Sequence, residues 1–263
     1  MLRITDARSG EPAEIRRALT RVHAHVPGDD TSALRVLLVA DVLARALELS
    51  GSPVLLVADP PAELRRRADD LGVRPNETTA TRGGQRVLRV TGSGESKPRR
   101  PDHADGSGDG SGQGSGDGSD DGSVRADDAE GPDTDITVEV APVRGTEAPA
   151  ASGTTLRLAL LTHPRRTPAT LDATALTEAA DTLDHWRTAV AAWATRPSRP
   201  VPEPVRQALR AAWEDDLDVR AVLDVLRDVE GAPDVPDGAR FETYAYADRL
   251  LGLELTRQIG ASA

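Results

Sequence analysis

Apolar and polar positions follow two different periods along the chain, and the change between them divides it. In the first half, "TSALRVLLVADVLARALELS" is apolar on a helical repeat, with a polar entry at Thr31 and Ser32 and a glycine stop at Gly51. The aliphatic run "PVLLVA" follows at once and predicts a strand from Val54 to Ala58. "PPAELRRRADDLG" predicts a second helix, with Pro61 near its first turn and Gly72 as its stop. "RVLRVTG" and "DITVEVAPV" are β-branched runs that suit strands of one sheet. Alternating helices and short strands imply an α/β layer with a mainly parallel sheet.

Beyond Gly153 the helical period takes over. Leu176, Ala179, Leu183, Trp186, Val190 and Trp193 recur at three to four residues. Val205, Leu209 and Ala212 follow, then Val222, Leu226 and Val229, and a last run from Phe241 to Leu255. The prolines of "RPSRPVPEP" and the turn "GAPDVPDG" separate these runs, which predicts a bundle of about four helices. The expected fold class is thus α/β plus α: a reduced Rossmann-like parallel-sheet layer, then a C-terminal helical bundle. The expected segments are 1–96 for the layer, 97–135 for a linker, 136–170 for a returning strand and connecting helix, and 171–263 for the bundle.

Charge changes this picture in one place. The net charge is −11, but eleven acidic residues against Arg125 put about −10 of it between Asp102 and Asp135. That Gly/Ser/Asp tract has almost no apolar surface to offset the entropy of ordering it, so it is expected to be disordered. A calcium-binding repeat would need a recurring aliphatic residue, and none recurs; no GxGxxG register fits its glycines either. Every aromatic residue lies beyond Leu183, so the front core has to be packed from Leu, Val and Ala. The absence of cysteine removes disulfides, thiolate metal sites and cysteine nucleophiles. Lys97 is the sole lysine beside abundant arginine, a usage of the kind a GC-rich bacterial genome produces. No run approaches the roughly 18 apolar residues of a membrane span, and the opening "MLRITDARSGEP" lacks the apolar stretch of a signal peptide. A cytoplasmic location without a membrane partner is expected.

Candidate chemistry is sparse. His23 and His25 alternate, which in a strand places both on one face, as a metal pair requires; His163 is the available third ligand, and ordinary core or surface histidines are the alternative. Glu214 to Asp218, "EDDLD", could form an acid/base pair or a magnesium site, or a capping corner in which Asp218 is the N-cap of the next helix. Arg65, Arg66 and Arg67 could be a phosphate patch, but Glu63, Asp69 and Asp70 stand at helical spacing to pair with them. Arg165 and Arg166 in "HPRRTP" are a second arginine pair. His185 and His103 suggest only packing or solvation. The tryptophans suggest a core.

Several segments resemble one family. "AWEDDLDVRAVLDVLRDVE" (212–230) and "RFETYAYADRLLGLEL" (240–255) resemble the helical domain of cysteinyl-tRNA synthetases. "LRLALLTHPRRTPATLDATALTEAADTLDHWRTAV" (156–190) is similar to a stretch of those enzymes and of the related cysteine ligase of mycothiol biosynthesis. The resemblance would place Arg165 and Arg166 at the ligand side of the family's catalytic domain, and so makes them the better anion candidates. At the front, "DVLARALELSGSPVLLV" (41–57), "RADDLGVRP" and "LRITDARSGEP" resemble the family's first Rossmann half. The resemblance implies a class I synthetase architecture, with ATP, tRNA and zinc as the family's ligands. Between 75 and 150, where the family holds most of its catalytic domain, there is mainly linker.

The resemblance also places the family's HIGH signature on Asp30, Thr31, Ser32 and Ala33, none of which keeps it. Asp29 and Asp30 set carboxylates at a helix entry that would otherwise suit phosphate. The KMSKS lysine could only be Lys97, and the first zinc ligand would fall on Arg21. Each lost signature forfeits roughly 3–4 kcal/mol of transition-state stabilisation. The expectation is a truncated, catalytically degenerate paralogue with no catalytic residue, no metal and no required cofactor. Thr31, Ser32 and Arg165 remain as a vestigial nucleotide or anion site. The expected role is a non-catalytic binding or regulatory module for a protein partner or small ligand. An ATP-dependent ligase with a rewired site, or tRNA binding through the bundle, are the alternatives.

Overall fold

The computed structural model describes residues 1–74, 77, 86–93, 135–145 and 151–260. The acidic tract apart from Asp135, together with Lys97 and His103, lies outside the described residues. The chain opens with an antiparallel hairpin of β1 (Arg3–Thr5) and β2 (Pro12–Glu14). β3 (Thr20–Ala24), β4 (Val54–Val57), β5 (Arg86–Gly92) and β6 (Ile136–Val140) then form a four-stranded sheet in the order β4-β3-β5-β6, with every pairing parallel. β7 (Val143–Arg144) and β8 (Ala169–Thr170) make a short parallel pair beside it. Parallel strands survive only when covered, and the pleat shows it: Val22, Leu88, Val90, Val138 and Val140 are buried on one face. Both sheet edges are closed. Thr137 of β6 donates its N–H to the Asp6 carboxylate and accepts from the Ala7 N–H, and Glu77 bridges the outer side of β4.

Helix α1 (Thr31–Leu49) lies on that apolar face. Fourteen of its nineteen residues are buried, so it has no solvent stripe and forms the centre of the molecule. Helix α2 (Ala62–Asp70) and helix α3 (Gly153–Leu161) flank it. These two approach so closely that a Cβ on Gly153 would overlap the Asp70 carbonyl. The four expected bundle helices follow as α4 (Ala173–Trp193), α5 (Glu203–Glu214), α6 (Val219–Gly231) and α7 (Asp237–Leu251). Pro202 and Pro236 stand where α5 and α7 begin, where a missing N–H costs nothing. Trp186 and Trp213 are fully enclosed, and Trp186 and Trp193 meet Tyr244 edge-on at ring separations of 5.7 and 5.1 Å. No helix among the described residues is long and apolar enough to cross a membrane.

Layer and bundle are joined through one buried carboxylate. Asp41 in α1, fully enclosed, accepts from Arg157 of α3 at 2.8 Å, from Arg45 at 2.8 Å and from Arg74 at 2.9 Å. Burial alone would raise the Asp41 carboxyl, but these guanidinium groups hold it below its ordinary value. Arg157 also donates to the carbonyls of Leu251 and Leu71, so one side chain ties α3 to α7 and to the end of α2. Gly252 adopts the left-handed cap at φ 61°, and a Cβ there would press on the Arg157 guanidinium.

Candidate ligand-binding cleft

The chain runs from β3 through α1 to β4, and from β4 through α2 to the Glu77 bridge, moving steadily one way across the sheet. It then returns to β5 and β6 on the other side of β3. The direction reverses between β3 and β5, and in open parallel sheets the crevice beyond the strand ends at such a reversal is where ligands bind. A cavity of about 280 Å³ lies there. Val26, Ala33, Val36 and Val140 give it an apolar floor. His25, Asp30, Ser32 and Ser93 bring polar groups to it, and Pro27 and Pro142 wall it. No lysine or arginine is among the described residues that line it.

The entry of α1 forms one side, and its side chains are engaged within the protein. Asp30 is the N-cap, accepting the Ala33 N–H at 2.8 Å. Ser32 accepts the Val143 N–H at 3.0 Å, which fixes the chain just beyond β6 against the helix. The Thr31 hydroxyl accepts from Arg67 at 3.1 Å, and the same guanidinium donates to the Asp29 carbonyl at 2.7 Å. Of the three expected site residues, therefore, Ser32 faces the cleft, and Thr31 is turned to α2. Arg165 lines a separate small cavity with Arg35 and His163, where it is ion-paired with Asp216 and donates to the Glu139 carbonyl at 2.8 Å. The structure does not bring the three together around one space.

Two arginines that spacing did not single out shape the site. Arg35, one turn into α1 and 1 % exposed, donates to the carbonyls of Ala141, Thr167, His163 and Pro164 at 2.8–3.2 Å. Burial pushes its pKa down to about 10, still far above neutrality, so a full positive charge is held by carbonyl dipoles alone. It pins the β6 exit and the 163–167 loop onto α1, and thereby one wall of the cleft. Arg67 corrects the expectation of a solvated arginine face on α2. Arg66 does pair with Glu63, but Arg65 reaches Asp59 rather than Asp69, and Arg67 reaches the α1 entry.

The remaining candidates have plain structural roles. Asp218 caps α6 by accepting the Ala221 N–H at 3.0 Å, as its spacing suggested. Its neighbours make a clasp: Glu214 meets the Met1 amino group, Asp215 meets Arg3 at 3.0 Å, and Asp216 takes the Thr5 N–H at 2.8 Å together with Arg165. Asp216 and Leu217 hold left-handed backbones at φ 54° and 62°, a strain that this clasp maintains. His163 turns its ring to the Ala159 carbonyl and the Thr162 hydroxyl, away from a metal pair. Among the described residues no group of three or more His, Asp or Glu side chains could hold a metal ion. His185 does more than pack, meeting Glu230 at 2.6 Å.

No protein-family model matches this chain, and no curated protein sequence does.

Proposed function

We propose that the chain is a cysteinyl-tRNA synthetase-like binding module that holds a small molecule in the cleft between β3 and β5 without activating an amino acid. One observation carries this reading: the α1 entry, where the resemblance places the ATP-contacting signature, is occupied by the protein's own interactions. Asp30 takes the helix N–H, Ser32 holds Val143, Thr31 holds Arg67, and the described residues of the lining offer no cation to a triphosphate. What is left is an apolar-floored space with a few polar groups, the composition of a small-ligand site. Residues 171–260 carry ten arginines against seventeen carboxylates, a net −7 that weighs against the bundle as a surface for tRNA.

Amino-acid-dependent ATP–pyrophosphate exchange tests the reading, with an authentic cysteinyl-tRNA synthetase as control. A flat response to all twenty amino acids is expected. Exchange above background with any of them would sink the proposal and support a ligase with a rewired site.

A further inference from the structure

We infer that the cleft excludes anionic small molecules, and that the Asp30 carboxylate is the residue that turns them away. The inference rests on the reading of this cleft as a small-ligand site. At the start of a helix the free N–H groups and the dipole ordinarily invite an anion. Here the invitation is already answered from inside the chain, because the Asp30 carboxylate accepts the Ala33 N–H at 2.8 Å. A phosphate brought to the same place meets that carboxylate, with Asp29 beside it, and loses the N–H it would have used.

Among the described residues, the two arginines nearest the helix entry are turned elsewhere. Arg67 lies on the α2 side of the helix entry, donating to the Asp29 carbonyl and the Thr31 hydroxyl, and does not line the cleft. Arg35 is buried behind α1 with both terminal nitrogens committed to four carbonyls. The cleft itself offers the Ser32 hydroxyl, which accepts the Val143 N–H and keeps its proton to donate, the Ser93 hydroxyl, which donates to the Val140 carbonyl and can still accept, and an imidazole at His25, over an apolar floor. Its volume of about 280 Å³ equals the share of roughly nine water molecules in the liquid, room for a nucleoside-sized molecule or a smaller one. Hydrogen-bonding groups over an apolar floor, guarded by a carboxylate, describe a ligand that carries no negative charge.

Asp30 can be tested without losing its structural role. Asparagine caps a helix about as well as aspartate, so Asp30→Asn removes the charge and keeps the acceptor. The full chain is titrated with matched neutral and anionic probes, adenosine against adenosine monophosphate and benzamide against benzoate, with binding read from NMR chemical shifts of the cleft residues. At least one neutral probe is expected to bind, about tenfold more tightly than its anionic partner, the scale of one like charge a few ångströms away in partly solvated surroundings. In Asp30→Asn the anionic member should gain by about that factor while the neutral one stays within about twofold and the melting temperature holds. Asp29→Asn, one residue outside the lining, should leave the ratio nearer that of the parent.

Anionic probes that bind as tightly as neutral ones, a ratio unchanged in Asp30→Asn, or no binding by any probe would each overturn the inference. Tight nucleotide binding without pyrophosphate exchange would overturn it while leaving the non-catalytic reading in place. Exchange activity would remove that reading instead.

Discussion

The sheet layer and the helical bundle solve the same packing problem with different large side chains. In the bundle the biggest fully buried groups are Trp186, Trp213 and Tyr244; around α1 they are Arg35 and Arg157. The two tryptophans fill volume and ask little of their neighbours beyond shape, while the Tyr244 hydroxyl also donates to the Leu226 carbonyl. The arginines fill volume too, but each is also the donor for several backbone carbonyls from separate segments. A core without aromatic residues has thus been bound together at its centre by long polar side chains, whereas in the bundle such donors, Arg187 to the Leu253 and Glu254 carbonyls among them, stand beside aromatic packing.

That contrast can be broken most forcefully at Asp41. Asp41→Ala leaves Arg157 fully buried without its carboxylate, and should cost about 3–5 kcal/mol in urea-induced unfolding. A loss under about 1 kcal/mol would show that the carbonyls alone suffice for Arg157. Next in size is a paired comparison of apolar replacements. Arg35→Met keeps the bulk but strips four carbonyls of their donor, and should destabilise by about 3 kcal/mol. Trp186→Phe, which only trims a packed ring, should lose about 1–2 kcal/mol. If the two substitutions cost the same, the distinction between the cores is one of residue type and not of physics.

The smallest effect lies on the sheet. Burial, aided by Arg89, His25 and Arg21 and opposed by Asp135, holds the His23 pKa below its ordinary 6.5. The unfolded chain therefore takes up this proton first as pH falls, and stability is present above about pH 6.5 and is lost on acidification toward the lower folded value. In His23→Gln the decline in unfolding free energy between pH 7 and pH 5 should be shallower than in the parent. An identical slope would assign that decline to other groups.

Much of the fold was legible in the residues. The aliphatic period of α1, the short β-branched runs and the Trp/Leu repeats of the bundle are local signals, and the elements they predicted are the ones that form. Asp218 was legible for the same reason, since a cap speaks only to its own helix. Of the hairpin, the resemblance at "LRITDARSGEP" placed an opening strand and turn, but β2 was not predicted, because a three-residue strand shows no measurable alternation. The cleft was half legible. The α1 entry could be read, but its opposite wall joins Ser93 at the end of β5 to Val140, which β6 brings in from across the acidic tract. Arg67 was read with its sequence neighbours, whereas its partner Thr31 lies 36 residues away. Arg35 left a faint signal, a lone arginine inside "ALRVLLVA", and nothing in helical spacing says whether such a residue reaches out to solvent or inward to carbonyls.

The clasp at Asp216 has a consequence for the order of events on the ribosome. Thr5 hands its N–H to a side chain 211 residues further along, so although β1 can pair with β2 at once, its contact with the α5–α6 corner waits until that corner has been made. While those helices are still being made, Leu2 and Ile4, which end up fully enclosed, have to remain open to water or find temporary shelter. Until Asp216 has been made, that apolar pair is a place for a chaperone to bind.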